Sequence, residues 1–279
     1  PEAMALAQDL FEAGLITYHR TDATRVAPEG MALARRLIEA RFGPEHARPR
    51  PWGEGGAHEA IRPTRLLWPE DLEEAGLLAA LPLSEAHGRL YSLIFRRFLA
   101  SQMAPARVRE KRLRACLGEA CQELTLRVAL LFPGFARVWP LGLDPDLEAG
   151  PYAVAPKTVR LPKAARYTEG ELVAEMKRRG LGRPSTYAAT VERLLERRYV
   201  VRRGPFLVPT RLGERVYALL TERPPLAPVA RRFVGEAFTR EVEAWMDRVE
   251  AGEDPVPLLR ELHRATLALL EALEDEGHS

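Results

Sequence analysis

GLITYHRTD, residues 14–22, is the stretch on which the fold turns. Ahead of it, PEAMALAQDLFEAG begins with Pro and Glu, repeats apolar residues at helical spacing (Met4, Leu6, Ala7, Leu10, Phe11) and closes on Gly14. That pattern predicts a helix stopped by a glycine. LITY follows at once, β-branched and aromatic, and predicts a short strand ending at Tyr18, with HRTD as the turn beyond it. A phenol that attacks phosphate needs a nearby cation to steady the pentacovalent charge, and Arg20 lies two residues on. Tyrosine with its ordinary pKa near about 10 is a weak nucleophile, so a cationic, partly desolvated neighbourhood would favour phenolate. His19 and Arg20 are the local candidates. An ordinary strand tyrosine beside a surface arginine is spelled the same way.

Downstream, Pro28 to Arg41 reads as a second helix stopped by Gly43, and Pro, Gly and His then crowd the chain as far as Pro63. Within that stretch GEGGAHEAIRPT sets His58 beside Glu59, with Arg62 three residues further and glycines ahead that would let backbone approach a phosphate. The HExxH spacing of a zinc hydrolase fails, because Arg62 stands where the second histidine belongs. His58 could hydrogen-bond a scissile phosphate or be a solvated loop histidine.

LSEAHGRLYSLIFRRFLASQM predicts a long amphipathic helix capped by Ser84, with Leu90, Ile94, Phe95 and Phe98 on its buried side. From Ala106 to Leu161 the pattern turns strand-like, ELTLRVALLF leading to a Pro133-Gly134 turn from which ARVWPL returns. Thr168 and Glu171 then spell a capping box, Gly180 ends that helix, and GRPSTYA leads into a second helix from Tyr187 to Arg197. The hairpin YVVRRGPFLV completes a helix-turn-helix with a wing. Ser185 or Thr186 at that helix N-terminus, with free N–H groups and Arg183 alongside, could hold one phosphate or could simply cap. Two closing helices, about Gly235 to Ala251 and Val256 to Leu273, offer Trp245, Val249, Leu258, Leu262, Leu267 and Leu270 as core.

The net charge of +2 conceals an asymmetry: ten Lys or Arg against five Glu between Arg166 and Arg203, then twelve acids against four Arg from Glu236 onward. The basic segment could hold phosphate, or both could be solvated helix faces. Cys116 and Cys121 lack the second pair of a structural zinc site and read as two thiols of a reducing cytoplasm, a strand-to-strand disulfide being the alternative. Neither a signal peptide nor a membrane-length apolar run is present, which predicts a cytoplasmic protein with no membrane partner. Pro1 in place of Met suggests a fragment.

Taken together, GLITYHRTD, AHEAIRPT and GRPSTYA, in this order and at these spacings, resemble the signature set of type IA DNA topoisomerases. LYSLIFRRFLASQMAPARV and FTREVEAWMDRVEAG extend the resemblance from Ala3 to about Gly252. TYHRTD followed by TRV, and IRPTR after the His-Glu pair, are most similar to the topoisomerase half of reverse gyrase.

The resemblance implies that Tyr18 attacks a single-stranded DNA backbone, giving a 5′-phosphotyrosyl bond and a free 3′-hydroxyl, before strand passage and religation. It implies that Arg20 stabilises the cleavage-site phosphate, that His58 assists, and that Asp22, in the active-site turn, binds DNA together with Glu59 and Arg62. Arg183, Ser185, Thr186 and Tyr187 would line a DNA-binding groove. Ala23 departs from the family's usual serine.

The implied architecture is mainly helical α+β: a catalytic-tyrosine domain (1–86), part of a β-rich arch (87–165) and a winged-helix-like DNA-binding domain (166–279). The family's magnesium site uses paired carboxylates, and neither a DxD-type cluster nor a GxxxxGK nucleotide loop occurs here. Mg2+ is therefore expected of the complete enzyme with ligands outside this chain, with no zinc and no ATP site within it. The missing topoisomerase and helicase-like part would be a partner, on the same polypeptide or another. The competing expectation is a catalytically inactive remnant that binds single-stranded DNA.

Overall fold

The computed structural model describes residues 2–53, 58–65, 67–74, 76, 81, 83–153, 166–222, 230 and 232–277. Gly55 and Gly56 of GEGGA, and the end of the expected β-rich stretch beyond residue 153, lie outside these. The fold is mainly helical α+β and divides into two compact units, residues 2–159 and 160–279.

In the first unit, α1 (Glu2–Glu12) and α2 (Pro28–Phe42) form where the apolar spacing predicts. Pro28 starts α2 because its missing N–H would be unsatisfied there anyway. After the 3-10 turn Pro44–His46 come α3 (Pro69–Glu74) and α4 (Glu85–Ser101). At the start of α4 the Ser84 N–H donates to His87 Nδ1 at 2.9 Å. That leaves the His87 Nε2 proton for the Asp9 carboxylate of α1, also at 2.9 Å.

Tyr91, Phe95, Phe98 and Leu99 are the buried face of α4, and they share one core with Leu10, Ile16, Ile38, Leu72 and Met103. The face is rotated from the expected one: Leu90 and Ile94 only pack against its edge. Each such large apolar side chain contributes roughly 1.5–3 kcal/mol by leaving water, so α4 is bound to the tyrosine-bearing residues rather than to the strands that follow it.

Those strands, β1 (Arg107–Leu117) and β2 (Ala120–Phe132), pair antiparallel as a long hairpin. Its reversal is at Gly118, φ +60°, and not at Pro133-Gly134. Pro133-Gly134 instead opens a 3-10 turn, Gly134–Arg137, and ARVWPL does not return as a strand. Gly134 approaches the backbone of Ala104 and Pro105 so closely that a Cβ would lie 2.4 Å from the Ala104 oxygen. The turn is thus packed against the start of the hairpin. The register sets Cys116 opposite Cys121, Cα atoms 4.1 Å apart, and the two form a disulfide, which corrects the expectation of two thiols.

In the second unit, α5 (Glu169–Arg179) begins on the capping box and stops at left-handed Gly180. The Glu171 N–H donates to Thr168 Oγ1 while the Thr168 N–H donates to Glu171 Oε2. A turn leads to α6 (Tyr187–Glu196), then β3 (Val200–Arg203) and β4 (Phe206–Pro209) form the wing. The wing is tied back by the Leu207 N–H donating to the Tyr167 carbonyl at 2.7 Å. Then come α7 (Arg211–Glu222), α8 (Glu236–Glu250) and α9 (Val256–Gly277). Val249, Leu267 and Leu270, expected in the core, are exposed; Ala230 and Ala272 are buried against Leu219, Leu220 and Leu269.

Candidate active site

Tyr18 is positioned by a ladder shorter than the expected strand. Past Gly14, φ +67°, the chain reverses and only Ile16 forms a β-bridge, to Pro63. The Thr17 N–H donates to the Arg62 carbonyl at 2.9 Å and the Thr64 N–H to the Leu15 carbonyl at 3.1 Å. Thr17 Oγ1 accepts from the Arg62 N–H and donates to the Ala60 carbonyl. This pairing, across more than forty residues of sequence, brings AHEAIRPT beside Tyr18.

The Tyr18 ring lies 5.0 Å from that of His58, 5.4 Å from that of Phe11, packed edge to face, and 5.7 Å from that of His19, centroid to centroid. Tyr18, His58, Thr17, Arg25, Ala27 and Glu59 line an open cavity of about 290 Å³. A tyrosine, a histidine and an arginine thus line one small cavity. That is the set needed to attack a phosphodiester and balance the charge it develops.

Arg25 is the residue that sequence reasoning missed. Its one signal was a basic side chain between HRTD and Pro28, which says nothing about the cavity it faces. Arg20 is exposed and does not line the cavity, and Asp22 is exposed in the turn beyond. His19 is not the expected cation. It is 4% exposed, neither ring nitrogen has a hydrogen-bond partner among the described residues, and burial, then the Arg20 charge, push its pKa down against the opposing pull of Glu12. Its charged form is thereby disfavoured beside Tyr18.

Glu59 and Arg62 are brought to the site but engage each other. The Arg62 guanidinium is bidentate on the Glu59 carboxylate, which also accepts from the Ala27 N–H at 3.2 Å, and Arg62 Nη1 donates to the Pro63 carbonyl. Gly30 in the first turn of α2 makes this possible, because a Cβ there would fall 2.6 Å from Arg62 Nε. The pair fastens the His58 loop to the start of α2.

The GRPST turn belongs to the second unit, and its own groups use the donors expected for a phosphate. The Arg183 N–H donates to Thr186 Oγ1, while the Thr186 and Tyr187 N–H groups donate to the Arg183 carbonyl. Arg183 itself reaches Glu243 Oε2 and Asp247 Oδ1, both at 2.6 Å, and the Glu243 carbonyl at 3.0 Å. Ser185 and Thr186 remain exposed at the head of α6, with Tyr187 half-buried.

The charge asymmetry is partly folded on itself: Arg179 pairs with Glu236 and Arg183 with Glu243 and Asp247, basic turn against acidic α8. Glu175 is pushed down to about 2 by hydrogen bonds from Arg178 and Arg179. No group of three or more His, Cys, Asp or Glu among the described residues could hold a metal, and no helix among them is long and apolar enough to cross a membrane.

A family profile described as DNA topoisomerase matches residues 1–256. The chain is 50% identical over 268 residues to reverse gyrase 1 of Aquifex aeolicus, covering 95% of this chain and 23% of that protein. It is 41% identical to the reverse gyrase of Pyrococcus furiosus, covering 96% of this chain and again 23% of the relative. The chain thus spans about a quarter of the length of these relatives. Among solved structures, full-length topoisomerase I from Thermotoga maritima superposes with a TM-score of 0.72 at 34% identity, over 95% of this chain and 45% of that one.

Proposed function

The chain belongs to the type IA DNA topoisomerase family, and from that premise we propose that it supplies the nucleophile of transient single-strand DNA cleavage, as a reverse gyrase-like segment. The observation that carries the proposal is the Tyr18 phenol at a small cavity shared with His58 and Arg25. In this reading the Tyr18 oxygen attacks phosphorus, the bond from phosphorus to the 3′-oxygen breaks, and the phenolic proton ends on that leaving oxygen. The products are a 5′-phosphotyrosyl ester and a 3′-hydroxyl, and religation is the same step reversed.

In this reading His58, in the cavity lining, hydrogen-bonds a phosphate oxygen, and Arg25 of the same lining and exposed Arg20 support the developing charge. Glu59 and Arg62 act as positioning residues through their ion pair. Ser185, Thr186 and Tyr187 are proposed to line a groove for single-stranded DNA, with Arg183 holding their turn in shape. Magnesium, expected from the family, has no fitting ligand set among the described residues. The metal site and any nucleotide-driven function are assigned to sequence outside these residues, on this polypeptide or a partner.

The experiment combines the chain with a metal-binding domain of this family, magnesium and a single-stranded oligonucleotide, then denatures the mixture. A covalent DNA–protein adduct is expected, absent in Tyr18→Phe. An adduct of equal yield in Tyr18→Phe would sink the assignment.

A further inference from the structure

A second and larger cavity, about 1060 Å³, lies in the first unit and shares its walls with the Tyr18 site. In the segment after HRTD, Arg25 and Ala27 line the small cavity while Ala23, Thr24 and Val26 line the large one. In the His58 loop, His58 and Glu59 face the small cavity, Ala60 and Ile61 the large one. The Ala60 N–H donates to the Arg25 carbonyl at 2.7 Å, joining the two segments into one partition.

The lining of the large cavity also includes two tryptophans, Trp52 and Trp139. Trp52 is 51% exposed although its backbone is held at φ +61°, a conformation that a bulky side chain adopts only under constraint from its surroundings. The constraint is visible. Gln102 is fully buried and takes both the N–H and the carbonyl of Arg50, at 2.8 and 3.1 Å, and the Trp52 indole N–H donates to the Ser101 carbonyl at 3.1 Å. Arg50 lies 5.2 Å from the Trp52 ring and Arg97 5.4 Å from the Trp139 ring. Both arginines line the cavity, and no Asp or Glu does so among the described residues.

From these observations we infer that the Trp52–Trp139 cavity is a second nucleic-acid subsite, which takes unpaired bases of single-stranded DNA stacked on the indoles with Arg50 and Arg97 toward the phosphates. An exposed aromatic face and cations without acids suit stacked bases and phosphate together. An apolar polypeptide segment would leave both arginines without a counter-charge. The inference rests on the DNA-processing reading but not on Tyr18 being the nucleophile.

The test is photo-crosslinking of the intact protein to single-stranded oligodeoxythymidylate carrying 5-iodo-deoxyuridine, with peptide mapping, alongside affinities of Trp139→Ala and of Trp52→Gly, which suits the left-handed backbone. Crosslinks at Trp52 or Trp139 and about tenfold weaker binding in each variant are expected. Melting curves show whether the variants fold; if they do not, the wild-type crosslink map decides alone. Affinities unchanged within about twofold in folded variants, or crosslinks only elsewhere, overturn the inference. Protection of both indoles from solvent oxidation before DNA is added overturns it in favour of a polypeptide cover. Crosslinks at Trp52 without any Tyr18-dependent adduct would support this subsite while removing the cleavage assignment; Tyr18→Phe is expected to keep the crosslinks and lose the adduct.

Discussion

Arg62 faces Glu59 edge to edge, Nε 2.9 Å from Oε2 and Nη2 2.8 Å from Oε1, with both side chains largely withdrawn from water. Removing one partner leaves the other charge stranded, a larger loss than the pair's net worth. Arg62→Ala is expected to lower stability by about 3 kcal/mol, read from urea unfolding. It should leave the salt dependence of DNA binding unchanged, because this guanidinium already has its carboxylate. A stable variant with a shallower salt slope would make Arg62 a phosphate contact instead.

Arg25 lines the Tyr18 cavity, and its carbonyl accepts from the Ala60 N–H. Arg25→Ala keeps that backbone bond and removes only the cation. Covalent adduct formation in the assay described above should slow by about tenfold or more, within the range for losing one charge-stabilising donor. An unchanged rate would leave Arg20 as the sole arginine of the reaction.

His19 gives the fold a pH dependence with a definite sign. Burial holds its pKa below the ordinary 6.5, so as pH falls through 6.5 the unfolded chain takes up a proton before the folded one does. This contribution is complete above 6.5, is lost progressively as pH falls toward the folded value, and changes no further below it. His19→Leu should flatten the dependence of the urea midpoint between about pH 5 and 8 relative to wild type. Parallel curves would show that His19 titrates alike in both states.

Arg183 is held by Glu243 and Asp247, so its guanidinium is already committed. Arg183→Ala is expected to lower the stability of the second unit by about 1 kcal/mol, the modest value usual for partly exposed pairs. The slope of log affinity against log salt for single-stranded DNA should stay within error. A slope reduced by about one unit would mean that DNA displaces the carboxylates and takes Arg183 as a phosphate contact.

The features legible along the chain are those whose physics is local. A capping box needs Thr168 and Glu171 three residues apart, a helix stop needs Gly14 or Gly180 at its end, and Pro28 suits a first turn wherever that turn goes. Seven of the described helices and the winged helix-turn-helix followed from such signals, while α3 and α7 were not expected, and three motifs in register pointed to the family.

Pairings between distant residues were illegible for a physical reason: composition does not say which of several compatible partners a group will meet. Arg183 found its carboxylates some sixty residues away, and Arg62 found a place only because α2 offers Gly30. The hairpin turned at Gly118 because β2 paired with the residues before it, leaving Pro133-Gly134 to pack against Ala104 and Pro105 just ahead of β1. In the same way, Tyr18 and the order of the motifs are properties of the chain. The cavity that joins Tyr18 to Arg25 and His58, and the partition behind it that exposes Trp52, exist only once residues 15–17 pair with 62–64 and Gln102 holds Arg50.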